Sequence, residues 1–452
     1  MGVVKVARPL AFHNLALSST LSSYMNGEIM DLQTLERDLL APKDLSKLTA
    51  SEQFALLKER AAHIVGEDRL CGMLERCKRD GTPLRVKYGI DATGREIHFG
   101  HAVPLFVLRR LQRMGHHVVL LIGDFTARVG DPSGRISTRP MLTESEIKQN
   151  ADRYADQAGK ILDLDKTEVR FNSEWLTGYP LAKFFCVLSG LTVATAMQRE
   201  DFRKRESITR AELLYSTLMA IDSVALVSEL ELGGDDQLLN FYDAERVMQN
   251  EGMTPESAIT TDILLGTTGG GVKMSKSLGN FISVLASAED MFGKVMSIPD
   301  EQLEQWFKLL TDLRDEEWQV LESEIKEKRL HPMEAKRLLS SVIVSQFHSN
   351  EAATRAEHDF DTRVVAKSVP NNTRTVTVAA FDATTWMYLI KALGLPNAST
   401  GSAARRLIEG GGVHIVTDAA EVTVTEATSI PAQNVLTSLR IGKRTFIKFV
   451  IK

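Results

Sequence analysis

Cysteine is scarce in this 452-residue chain: only Cys71, Cys77 and Cys186 are present. An odd set without paired spacing excludes a disulfide framework and a cysteine-built zinc site, and it points to a reducing, cytoplasmic setting. Long apolar runs are also missing. None approaches the roughly 20 residues a membrane-spanning helix needs, so no membrane role is expected. No excess of positive charge exists either. Lys and Arg number 54 against 59 Asp and Glu, for a net charge of -5. The whole chain is therefore not a polycation, and any contact with nucleic acid must come from a local basic surface. The first 27 residues lack Asp and Glu altogether and carry only Lys5 and Arg8 as strong bases. So Arg-poor a stretch reads as a partly disordered extension before it reads as an organellar transit peptide, which is kept as a minor alternative. Val6 stands where a myristoylation signal needs Ser or Thr.

What is present is an ordinary globular composition, 43% hydrophobic and 25% charged, without internal repeats. Helical periodicity runs from about Asp31 to Lys78, broken near Pro42 and Gly66. From Leu84 to about Gly266, strand-like runs (Leu84–Ile90, His117–Ile122, Glu168–Phe171) alternate with helical segments. That alternation predicts an α/β fold with a doubly wound parallel sheet. Residues 180–217 read as a helical insertion between its halves. A charged helical region follows, with Asp300–Trp306 and Asp315–Lys328 as its clearest parts, and then a linker at Ser368–Thr377. The last unit, from Val378, holds a helix Thr384–Leu393, a second at Gly401–Glu409 and a β-like run Leu439–Lys452. It has eight basic residues against five acidic ones. Arg405 and Arg406 on a helix, with Lys443 and Arg444 in a turn, form a candidate RNA-phosphate patch.

The chemistry concentrates in two places. Lys273-Met274-Ser275-Lys276-Ser277 follows three glycines, Gly269 to Gly271. Two lysines three apart on such a loop can close over a polyphosphate, and Ser275 and Ser277 add hydroxyl donors. Short Lys/Ser runs are usually solvated surface, so context decides. It lies about 170 residues upstream, where the strand Tyr88–Asp91 runs through Ala92-Thr93 toward His98-Phe99-Gly100-His101 and a helix from about Ala102 to Met114. Strand, glycine-bearing turn and helix start make a cradle for nucleotide phosphate, and paired histidines at a helix N-terminus can face one ligand.

Together these elements resemble the class I aminoacyl-tRNA synthetases, whose His-Ile-Gly-His box corresponds to His98–His101 and whose lysine-loop box is reproduced unchanged at Lys273–Ser277. Further matches narrow the resemblance to the tyrosyl-tRNA synthetase family. They are Gly123–Arg135, Val169–Trp175, Tyr215 with Asp222, and Gly233-Gly234-Asp235-Asp236-Gln237. The resemblance runs from about Glu67 to the C-terminus. It implies a Rossmann-like catalytic domain over 46–270 after an N-terminal extension over 1–45. A lysine loop and helical anticodon-side domain would span 271–367, and a small α+β RNA-binding domain 378–452. It implies tyrosine activation by ATP, accompanied by Mg2+, then transfer to tRNA by a homodimer, with no dedicated metal site and no tightly bound cofactor.

Roles follow residue by residue from the resemblance. His98, His101, Lys273 and Lys276 would act on the phosphates, with Gly100, Ser275, Ser277 and Asp236 also holding ATP. Asp222 matches the acid that takes the phenol hydroxyl. Tyr215 and Asp131 match the α-ammonium site, Thr126 lines the same pocket, and Asp91 and Gln237 match groups around the adenylate and the substrate carboxylate. Several positions depart from the family pattern. Met219 replaces a Gln that would bond the amino group, Ala92 a Pro, and Asp235 a Ser or Thr. Lys87 stands where one branch has a phenol-binding Tyr, though another bacterial branch also carries Lys. Val416-Thr417-Asp418 replaces an Asn-Gly turn in the terminal module. Met219 and Asp235 keep open a second reading, a synthetase-like paralogue for a tyrosine-like or β-amino acid, with or without tRNA.

Overall fold

The computed structural model describes residues 31–132, 142–198, 200–203, 207–365, 373–380, 383–395, 398–417, 421–425, 427–442 and 445–452. The chain divides into two compact units, 1–350 and 351–452. The first is built on six strands: β1 His63–Val65, β2 Arg85–Asp91, β3 His117–Gly123, β4 Thr167–Phe171, β5 Leu230–Gly234 and β6 Ser257–Thr261. Their order is β1-β6-β5-β2-β3-β4, with all pairs parallel except β1 on β6.

β2 and β3 read as near-continuous apolar runs because a parallel sheet covered by helices buries both faces. Val86, Tyr88, Ile90 and Val118 to Ile122 are all buried. The chain winds outward from β2 through β3 to β4, then returns to place β5 beside β2. That reversal is the switch point at which open α/β sheets bind ligands, just beyond the carboxyl ends of the strands. The three sequence-predicted strands occur within a residue or two of their expected bounds. β1 falls inside the stretch whose periodicity reads as helical. It is three residues long, too short to show a period of two, and its backbone pairing to β6 defines it.

The helix Phe99–Arg113 connects β2 to β3 and is fixed at both ends. Phe99 stacks on Phe347 at 5.1 Å and meets the edge of Trp306 at 6.2 Å. Near its far end, Arg110 Nε and Arg113 Nη1 each lie 2.9 Å from the carboxylate of Asp312. These cations hold that buried carboxyl far below its ordinary range despite its desolvation. The helices Leu303–Leu310, Asp315–Lys326 and Pro332–Phe347 follow. Leu35, on the helix Leu32–Leu40, is fully buried.

The second unit holds a five-stranded sheet, ordered β7-β11-β10-β8-β9: β7 Thr375–Val378, β8 Val413–Val416, β9 Glu421–Thr423, β10 Thr437–Ile441 and β11 Thr445–Ile451. The β-like run expected over Leu439–Lys452 is thus two antiparallel strands. Helices Trp386–Ala392 and Gly401–Glu409 contribute Trp386, Leu389, Ile390, Ala404 and Ile408 to a core with Val413, Leu439 and Phe449. The expected linker, Ser368–Thr377, lies outside the described residues up to 372, and its last part is not a linker: Thr375–Thr377 belong to β7, whose alternating Thr and Val pair in parallel with β11. The rebuilt turn from Asp418 on also lies outside the described residues.

Candidate functional site

The end of β2 and the start of the helix Phe99–Arg113 set the two histidines. His98 has extended backbone and caps the helix, its Nδ1 accepting from the Gly100 amide at 3.1 Å. His101 Nδ1 in turn accepts from the His98 amide at 3.4 Å. With Nδ1 an acceptor in both rings, the proton sits on Nε2. The rings lie 3.9 Å apart and tilted by 33°. Burial, then Lys276 and Lys273, lowers His98 to about 4; burial, then His98 and the same two lysines, holds His101 well below its usual value. Both are therefore neutral donors at physiological pH.

The segment just after the lysine loop is tied to this corner by backbone pairing. Phe99 N donates to Ile282 O and Val284 N to Ile97 O, both at 3.0 Å. The loop leaves as a hairpin, with Met274 N on Leu264 O and Gly266 N on Val272 O, each at 2.9 Å. Its turn contains Gly269, Gly270 and Gly271 at φ 76°, 74° and 67°, a run of left-handed backbone that suits glycine. Asn280 is buried and pins the segment: its Oδ1 accepts from Ser275 N at 2.8 Å, and its Nδ2 donates to Lys273 O at 3.1 Å. Lys276 Nζ donates to the Glu96 carbonyl, and the Ser275 and Ser277 hydroxyls bond each other at 2.9 Å.

Across the switch point lies a polar pocket. Asp91 ends β2 and accepts from Thr126 Oγ1 at 2.7 Å and from Tyr215 Oη at 3.1 Å. Its register partner on β3 is Gly123, where a Cβ would come within 2.2 Å of Asp91 Oδ1. Burial pushes Asp91 up to about 7, against the two hydroxyls that favour its ionised form. Gln237, just beyond β5, donates to Asp131 Oδ2 at 2.8 Å and lies 3.5 Å from Asp236 Oδ1.

At the far end of the same pocket, Asp222 accepts from Trp175 Nε1 at 2.8 Å and from Asn172 Nδ2 at 3.2 Å. Burial raises it to about 6, opposed by Lys87 and by those two donors. Asn172 also donates to Thr126 Oγ1 at 2.9 Å. A single amide therefore joins the Asp91 end to the Asp222 end. Between them on β2 lies Gly89, exposed in the middle of a central strand. A Cβ added there would find Leu121 as its nearest neighbour, at 3.9 Å. The floor of the cleft is backbone.

The structure thus gathers His98, Gly100, His101 and the lysine loop at one corner. Asp91, Thr126 and Tyr215 form one hydrogen-bonded group, and Asp131, Asp236 and Gln237 another. Met219 packs with Leu238 against Val65, Phe241 and Ala258. Arg405 and Arg406 are exposed on their helix, and Lys443 and Arg444 lie outside the described residues. Sequence reasoning gave no role to Asn172, Trp175 or Asn280. All three sit inside or beside motifs already singled out, so motif membership was the available signal.

Comparisons with known proteins agree with this layout. Residues 78–364 match the family described as tRNA synthetases class I (W and Y). A tyrosine–tRNA ligase of Thermotoga maritima is 41% identical over 405 residues, covering 89% of this chain and 98% of that protein. The tyrosine–tRNA ligase of Geobacter sulfurreducens is 37% identical over 406 residues, covering 89% and 99%. Among solved structures, the tyrosyl-tRNA synthetase of Archaeoglobus fulgidus complexed with L-tyrosine superposes with a TM-score of 0.57 at 22% identity, covering 68% of this chain and 99% of that one. A truncated mitochondrial tyrosyl-tRNA synthetase of Aspergillus nidulans also gives 0.57, at 20% identity, covering 70% and 94%. At these identities the structural likeness is one of fold.

Proposed function

The chain belongs to the class I tRNA synthetases of the tryptophan and tyrosine type, and we propose from that membership that it activates tyrosine with ATP and esterifies tRNA with the product. The substrate carboxylate attacks the α-phosphorus, pyrophosphate leaves, and tyrosyl-adenylate then passes its acyl group to the tRNA. No protein nucleophile is required. Such a site works by holding reactants in line and by stabilising charge on the transferring phosphoryl group.

The observation that carries this reading is the placing of the lysine loop beside the histidine corner, by two backbone hydrogen bonds from the segment after it and by the Lys276 contact to the Glu96 carbonyl. His98 and His101 offer Nε2–H donors to the phosphates, and Lys273 and Lys276 close over the β- and γ-phosphates, whose Mg2+ arrives with ATP. Gly100, Ser275, Ser277 and Asp236 complete the nucleotide site. Tyr215, Asp131 and Asp91 receive the α-ammonium; a cation arriving there favours the ionised form of Asp91. Gln237 serves the carboxylate, and Asp222 takes the phenol hydroxyl. Arg405 and Arg406 meet RNA phosphate.

We assign the functional parts to 46–270, 271–367 and 378–452, and a cytoplasmic location to the whole. No described helix is long and apolar enough to cross a membrane. Leu181, Phe185 and Val193 in the helical insertion are 67%, 61% and 65% exposed, an apolar face that suits a homodimer. The two residues behind the paralogue reading have local partners: Met219 lies in its apolar cluster, and Asp235 accepts from His63 at 2.7 Å and from Thr260 at 2.9 Å.

ATP–pyrophosphate exchange with tyrosine, phenylalanine, tryptophan and β-tyrosine tests the reading. Tyrosine is expected to dominate, and dominance of β-tyrosine would move the assignment to the paralogue.

A further inference from the structure

A lysine is buried in the interior of the central strand. Lys87 is 0% exposed, and strand alternation puts it on the same face as Gly89 and Asp91. Its Nζ lies 2.5 Å from Ser223 Oγ, 3.0 Å from Glu231 Oε1 and 3.9 Å from Glu256 Oε1. Ser223 Oγ donates onward to Glu256 Oε1 at 2.7 Å, and the Ser228 hydroxyl donates to Glu256 Oε2. Ser223 follows Asp222 directly on the helix Tyr215–Leu226. One lysine therefore shares the sheet interior with Asp222, Glu231 and Glu256, all of them buried.

Burial and the neighbouring Glu256 push Glu231 upward against the pull of Lys87, while Glu231, Glu256 and Asp222 favour the charged form of Lys87 against its own desolvation. Stability gives little reason to keep such a cluster, because replacing buried ion pairs with apolar residues is often neutral or favourable. The cluster lies instead at the pocket end where Asp222 sits. Other groups around Asp222 are Asp124, which follows β3, and the neutral donors Asn172 and Trp175, which follow β4. Glu231 on β5 and Glu256 before β6 face Lys87. Lys87 is the cation among these groups, tied to the helix of Asp222 by its bond to the adjacent Ser223.

We propose that Lys87, held by Ser223, Glu231 and Glu256, is a specificity-determining positioning residue that keeps Asp222 an ionised acceptor for the tyrosine hydroxyl. This rests on the reading above, in which Asp222 faces the phenol. Without the cation, Asp222 holds a proton at neutral pH, and the pocket no longer penalises a phenyl ring that offers no hydroxyl.

The test is ATP–pyrophosphate exchange by the full chain from pH 5 to 9, with tyrosine and with phenylalanine. Asp91, raised to about 7, serves the ammonium of either amino acid, so its titration cancels in the tyrosine/phenylalanine ratio of kcat/KM; for the natural protein that ratio is expected to fall below about pH 6, following Asp222. Lys87→Met should carry that acid limb to about pH 7 or above and reduce the tyrosine/phenylalanine ratio at pH 7 by roughly tenfold or more, with phenylalanine itself changed by less than about threefold. An unchanged limb and ratio in a folded Lys87→Met protein overturn the proposal. If that variant does not fold, Ser223→Ala removes the hydroxyl between Lys87 and Glu256, and about a threefold loss of the ratio with the limb moving the same way is expected. No movement there also overturns it. A natural protein that does not prefer tyrosine would instead overturn the parent reading.

Discussion

The Lys276 ammonium donates to the carbonyl of Glu96, 180 positions earlier in the chain. That contact brings the lysine loop over the turn between β2 and the histidine helix, where a Cβ on Gly94 would stand 2.9 Å from Lys276 Nζ. A neutral carbonyl is a weaker acceptor for an ammonium than a phosphate oxygen. Under the proposed function, exchanging one for the other is favourable for Lys276.

Lys276→Ala should accordingly slow adenylate formation far more than it weakens tyrosine binding. Losing one such charge contact in the transition state typically costs about 2.7–4 kcal/mol, or roughly 10²–10³ in rate. Pyrophosphate exchange with a tyrosine titration measures both; a natural rate in the variant removes Lys276 from the reaction.

Asn280→Ala strips the loop of its pin. The amide of Ser275 and the carbonyl of Lys273, both half-buried, lose a partner, at about 0.5–1.5 kcal/mol for each bond lost. We expect kcat to fall about tenfold or more while tyrosine KM holds, because the amino-acid pocket is built by other segments. A tyrosine KM rising in step with the kcat loss would show that Asn280 serves the whole cleft.

Arg405→Glu combined with Arg406→Glu should leave exchange unchanged and weaken tRNA charging, with the salt dependence of tRNA binding shallower by about one to two ion equivalents. Filter binding at several salt concentrations reads the slope. Full charging by the double variant would take this helix out of RNA recognition.

Met219→Gln tests whether an amide at this position helps the substrate. Met219 packs against Val65, Phe241 and Ala258, so a Gln there sits among apolar neighbours and should lower stability by about 1–3 kcal/mol. The ratio of kcat/KM for tyrosine over β-tyrosine is expected to stay put. A clear rise in that ratio would return position 219 to the amine site.

His116 supplies a stability prediction. Burial holds this ring at about 4, below its usual 6.5. The neutral ring is the favoured folded form, so the unfolded chain takes up the extra proton. Its contribution is complete above pH 6.5 and fades as pH falls toward 4, amounting to about 2 kcal/mol between pH 7 and pH 5. Urea unfolding at both pH values should show His116→Gln losing less over that interval than the natural protein does. An equal loss in both would assign the acid sensitivity elsewhere.

Much of this architecture was legible because it depends on local pattern. The apolar run of β3 and the spacing of His98 to His101 and Lys273 to Lys276 need no tertiary information. What escaped depends on distant pairing. β1 exists through its hydrogen bonds to β6, about 195 residues on. Asp235 reads as a bare departure in the sequence, and only the fold brings His63 and Thr260 beside it. Lys87 is legible in the sequence only as the residue at a position where branches of the family differ, and its chemistry comes from Ser223, Glu231 and Glu256, which only the fold assembles.

Gly89 bears on how this pocket could be altered. Because the cleft floor between Asp91 and Asp222 is main chain, no side chain remains there to trim. Substitution at this position can only raise the floor, and β2 cannot recede without dragging β3 and β5, its hydrogen-bonded neighbours on either side. Selection for a bulkier amino acid would have to work on the walls and the roof. Selection for a slimmer one has a single-residue route, and the nearest atom to an added methyl there is Leu121 Cδ2 at 3.9 Å, ordinary van der Waals contact.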